Sequence, residues 1–116
     1  MPRLSGRRLL EIVRIEIDFI ARMESSGALD AYPRDPVGRR AIERSLEIAG
    51  EAIRQIEDDR PDLASRISEV RKIVEFRNKL AHDISYVDAR VIRRIIDVKL
   101  PVLSREVASL LLLEML

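Results

Sequence analysis

Apolar residues recur every three or four positions along almost the whole chain, and only two stretches rich in proline and charge break the rhythm. A chain with that period hides its apolar surface as packed helices, not as strands. The first such run predicts a helix from about Ser5 to Met23, with Leu9, Ile12, Val13, Ile17, Ile20 and Met23 on one stripe. Leu10, Ile15 and Phe19 widen that stripe. A helix apolar on more than one side faces two neighbours, and a second subunit is one candidate for the other neighbour. Ser25 to Pro36 reads as a loop, because Pro33 and Pro36 exclude a continuous helix. Asp35 before Pro36 has the form of an N-cap followed by a first-turn proline.

The second helix is expected to run to about Glu57, with Ile42, Ser45, Leu46, Ala49, Ile53 and Ile56 as its core stripe. Gly50 lies inside it. A mid-helix glycine costs about 1 kcal/mol relative to alanine and is tolerated where another helix comes close. Asp58 to Asp62 reads as a turn, and a third helix carries Leu63, Ile67, Val70, Ile73 and Val74. Three residues further along that stripe stands Arg77, an arginine where an apolar residue is due. A fourth helix begins near Val87 or Asp88 with Val91, Ile92, Ile95 and Ile96; Pro101 then starts a last segment or kinks the helix. Leu103, Val107, Leu110, Leu111 and Leu113 extend the apolar face to the end. The expected fold is all-α, an antiparallel four- to five-helix bundle forming one domain over residues 1–116.

With only 3% aromatic residues and four glycines, the composition argues against a β-sandwich. A chain of this length buries only roughly 65% of its extended surface, so pairing with a second copy would help it. The net charge is +1, which predicts no bulk attraction to nucleic acid. Lys72, Lys79 and Lys99 are the only lysines; the other basic residues are arginines, whose planar fork suits phosphate, although genome composition gives the same bias. No cysteine is present, so disulfides and thiolate metal sites are excluded. With one histidine, a metal site would need carboxylates, and no sequence pattern for a metal or cofactor is found. No apolar run reaches the ~20 residues of a membrane span, and no signal peptide is evident, so a soluble cytoplasmic protein is expected.

The segment that carries chemistry is Arg77-Asn78-Lys79-Leu80-Ala81-His82. On an ideal helix five residues turn through ~140°, so Arg77 and His82 would not share a face. They converge if the helix ends near Ala81, or if a second subunit closes the cleft. An arginine with a histidine suits RNA cleavage without metal. The ribose 2′-hydroxyl attacks its own phosphate, and an imidazole, which titrates at about 6.5 in water, moves the protons. A guanidinium stabilises the charge that builds on the phosphate oxygens. Asn78 would hold the phosphate or orient His82. Glu43, Arg44 and Glu51 on the second helix either line the same cleft or form a solvated face or intersubunit salt bridges, and the second reading carries more weight.

Arg77-Asn78 with four residues before His82, the Leu46-Glu47-Ile48-Ala49-Gly50-Glu51-Ala52 run, and Tyr86-Val87-Asp88 followed by an Ile-rich helix and Leu100-Pro101-Val102-Leu103 together resemble the HepT-like branch of the HEPN superfamily. That resemblance implies a homodimer with Arg77 and His82 as the catalytic pair near the subunit cleft, Asn78 in support, and RNA as substrate. It implies a toxin that cleaves RNA without a metal or cofactor and is neutralised by an MntA-type nucleotidyltransferase antitoxin. Many such toxins carry a tyrosine two residues after the histidine, to which the antitoxin transfers AMP. Here that position is Ile84, and the nearest tyrosine is Tyr86. Either Tyr86 accepts AMP, or neutralisation is by binding alone, or the chain is a divergent member. The alternatives are a non-catalytic HEPN module that binds a nucleotide or a nucleotidyltransferase, and a purely structural helical dimer.

Overall fold

A computed structural model of the chain describes residues 3–27, 35–82 and 87–116. Helix α1 (Gly6–Ser25) starts at Ser5, whose hydroxyl accepts the Arg8 N–H at 3.1 Å. Helix α2 (Pro36–Asp59) starts as its sequence predicts: the Asp35 carboxylate accepts the Val37 N–H at 3.1 Å, and Pro36 sits where no N–H is needed. All six residues of its expected stripe, Ile42 to Ile56, are buried. From α1, Leu9, Val13, Ile17 and Ile20 meet them, and Leu10 on the second flank is buried as well. The two neighbours of α1 are α2 and α6 (Leu100–Glu114), so its wide apolar surface is covered within the chain, while Ile15 stays exposed. Ser45, buried in the α1–α2 seam, donates to the Glu16 carboxylate at 2.8 Å.

Ion pairs report the directions of the helices. Arg3, ahead of α1, pairs with Asp59 at the end of α2, so the two run antiparallel. Arg60, just after α2, pairs with Glu114 at the end of α6 at 2.7 Å, so α6 runs alongside α2 and against α1. Partly exposed pairs of this kind contribute about 1 kcal/mol each; the apolar stripes do most of the stabilising. Among the described residues there are helices and no strand.

The expected third helix is two pieces. A single turn, α3 (Pro61–Ala64), is followed by a break and then by α4 (Val70–His82), which packs on α2. Glu69 ends the break with a left-handed φ of 59°. Ser68 donates its N–H and its hydroxyl to the Glu106 carboxylate on α6, at 3.0 and 2.7 Å. Leu63 and Ile67 are buried from α3 and from the break, so their helical spacing with Val70 does not come from one helix. The last helix, by contrast, is not interrupted. Helix α5 (Ala89–Arg94) runs through a π-helical turn (Ile95–Lys99) into α6. Pro101 has no N–H to give, and its ring crowds the carbonyl four residues before it. The wider turn accommodates this, with the Leu100 N–H bonding the Ile95 carbonyl.

Candidate active site

Helix α4 crosses α2 at Gly50. A Cβ at that position would lie 2.5 Å from the Cβ of Arg77 and 3.0 Å from its Cγ. Only glycine admits the root of the Arg77 side chain, which explains a residue that otherwise weakens α2. The arginine on the inward stripe therefore packs its stem on bare backbone, and its side chain is 21% exposed. Its Nη2 lies 3.0 Å from Glu51 Oε2, and its Nη1 donates to Asn78 Oδ1 at 3.0 Å. Its Nε is buried without a hydrogen-bond partner among the described residues.

Glu51 is held from its own helix as well. Arg54 donates to it through Nη2 at 2.8 Å and Nε at 3.1 Å, and Gln55 donates at 3.3 Å. The Arg54 hydrogen bonds lower the Glu51 pKa below the usual carboxylate value, with help from Gln55 and from the charges of Arg54 and Arg77, against a partial loss of hydration. Beside this group lies a cleft of about 390 Å³, whose wall includes Leu4, Leu9 and Ile12 on one side and Arg44, Glu51, Gln55 and Arg77 on the other. Of the three charged residues flagged on α2 from sequence, Arg44 and Glu51 line the cleft. Glu43 pairs along its own helix with Arg39 at 3.3 Å. Glu51 faces Arg77 where α4 crosses α2. Its place next to Gly50 was the available signal.

His82 is exposed at the last position of α4. Helix α4 ends at His82, one residue beyond the expected end near Ala81, and His82 is still counted in the helix. Five helical residues separate the two by ~140° and about 7.5 Å of rise. One chain thus places Arg77 in the cleft with Glu51, bonds it to Asn78 beside it, and leaves His82 on a different face. Tyr86 and Ile84 lie outside the described residues. A second, larger cavity of about 480 Å³ opens across α4, lined by apolar side chains such as Ile73, Phe76, Val98 and Leu103. Its charged rim is mutually paired, Glu69 with Lys99 at 3.0 Å and with Lys72 at 3.4 Å. Among the described residues no cluster of three histidine, aspartate or glutamate side chains is placed to hold a metal ion.

A half-buried guanidinium with an unspent donor, on a helix that also carries an exposed imidazole, is equipped for phosphate-ester chemistry. The sequence model of the family described as "Ribonuclease HepT-like" matches residues 13–110, a span that includes Arg77 and His82, and the chain belongs to that family. A curated relative from Caldanaerobacter subterraneus subsp. tengcongensis, "Putative RNase TTE0752", is 31% identical over 105 residues, covering 90% of this chain and 93% of its own length. No solved structure matches the chain. Among the described residues no helix is long and apolar enough to cross a membrane.

Proposed function

We propose that the protein is a metal-independent endoribonuclease acting as the toxin of a type VII-like HepT/MntA pair. The observation that carries this reading is the placement of Arg77: seated on Gly50, paired with Glu51, with a donor still unspent, in a chain of a ribonuclease family. In the proposed reaction the ribose 2′-oxygen attacks the adjacent phosphorus as neutral His82 takes its proton. Protonated imidazole then delivers a proton to the departing 5′-oxygen, leaving a 2′,3′-cyclic phosphate and a 5′-hydroxyl. Arg77 stabilises the charge on the non-bridging oxygens, and Asn78 supports Arg77 through its side-chain oxygen. Because the two catalytic side chains diverge on α4, the working site joins Arg77 of one copy to His82 of another in a homodimer. The cognate antitoxin would be an MntA-type nucleotidyltransferase in the same cytoplasm, acting on Tyr86 or by binding alone.

Expression of the protein should slow growth, and Arg77→Ala or His82→Ala should relieve it. Arg77→Ala keeps the Cβ that rests on Gly50, so α4 should hold its place. Purified protein should cut RNA in EDTA, with a loss of about 100-fold or more in either variant. Absence of both toxicity and cleavage contradicts the proposal. It would favour a non-catalytic module that binds a nucleotide or a nucleotidyltransferase, a reading supported by the separation of His82 from Arg77 within one chain.

A further inference from the structure

The ion pairs Arg71–Glu57 and Arg77–Glu51, both between α2 and α4, are built differently. Arg71 meets Glu57 at 2.7 Å with 68% of its side chain exposed, an ordinary surface bridge. Arg77 meets Glu51 with its stem fixed on Gly50 and its tip fixed by a carboxylate that Arg54 and Gln55 already hold. A long side chain clamped at both root and tip has given up its rotamer freedom before any ligand arrives. Asn78 occupies one of the five guanidinium N–H groups, Glu51 faces Nη2 as an ion pair, and the buried Nε is among the donors left.

We propose that Glu51 is a positioning residue, which with Gly50 presets the Arg77 guanidinium for the phosphate. This rests on the RNA-cleaving reading above. Glu51 does not touch the reacting atoms. It holds the guanidinium by charge at Nη2 and leaves donors such as the buried Nε for phosphate oxygens. A preset donor acts on charge that develops during reaction, so its disturbance lowers kcat more than it raises KM.

The test compares Glu51→Gln with Glu57→Gln, which breaks the other bridge between the same helices. Glu51→Gln should lower kcat about 10- to 100-fold with KM within about threefold, while Glu57→Gln stays within about twofold of wild type. In an Arg77→Lys background, where no fork remains to be oriented, Glu51→Gln should cost less than about twofold more. Equal effects of the two glutamine variants, or an undiminished Glu51→Gln effect in the Arg77→Lys background, would overturn the proposal. A readout independent of cleavage is nitrogen NMR of the Arg77 side chain. Its Nε–H should exchange slowly with solvent in the wild type and faster in Glu51→Gln. Unchanged exchange contradicts the preset. If the wild type leaves RNA intact while the exchange difference appears, the ribonuclease reading fails and the clamp on Arg77 stands.

Discussion

Arg77 occupies a place on α4 where periodicity demands a leucine or valine, and an arginine there needs a partner to offset its lost hydration. Glu51 supplies it, and remains ionised because Arg54 donates to it from the same helix. The sequence displays both Gly50 and Arg77 as oddities, one a costly helix residue and the other an arginine on an apolar stripe. It cannot show that each explains the other, because the contact is made only when α4 crosses α2. Asp88 illustrates residue-scale chemistry of another kind. It caps α5, and its hydrogen bonds from the Arg90 side chain and backbone N–H lower its pKa to about 2 from 3.8. A depressed carboxylate contributes stability above its unfolded pKa and loses it as pH falls through the folded value. The wild-type urea midpoint should therefore hold between pH 7 and about 4 and fall toward pH 2. In Asp88→Asn, which caps comparably but does not titrate, that acid decline should be shallower. Identical declines would show that Asp88 carries none of it.

Helix α2 is the platform of the molecule, burying its stripe against α1 and receiving α4 at Gly50. Elsewhere in a helix glycine to alanine stabilises by about 1 kcal/mol, but here the new methyl would collide with a Cβ that cannot swing away. Gly50→Ala should therefore destabilise by about 1–2 kcal/mol in urea unfolding, the overpacking outweighing the gain in helix propensity. A gain in stability would mean that α4 does not pack so closely. At this scale the stripes of α1 and α2 were readable because period and caps agree, from Ser5 and Asp35 onward. The break before α4 was not, since Glu69 gives no sequence hint of a left-handed φ and the Ser68–Glu106 contact that anchors it is long-range. Pro101 announces that something must yield in the last helix. That the π turn falls at Ile95–Lys99 depends on how the helix packs.

The whole molecule covers both flanks of α1 itself, yet leaves Val91, Val98, Val102 and Leu113 exposed along α5 to α6. Such residues, in a chain of thin folding margin, are consistent with the proposed dimer. The family was legible in the order of Arg77-Asn78, His82, the Gly50-Glu51 run and the Pro101 segment, and the match over residues 13–110 agrees. The five-residue spacing already separates Arg77 from His82 on a helix, and under the proposed function a second copy brings them together. Mixing two inactive variants tests this directly. Arg77→Ala and His82→Ala proteins, allowed to exchange subunits, should form mixed dimers in which one site pairs an intact Arg77 with an intact His82. RNA cleavage should then return to about a quarter of the wild-type rate, as half the dimers are mixed and each has one of its two sites intact. Subunit exchange without any recovery of cleavage would contradict a site shared between copies.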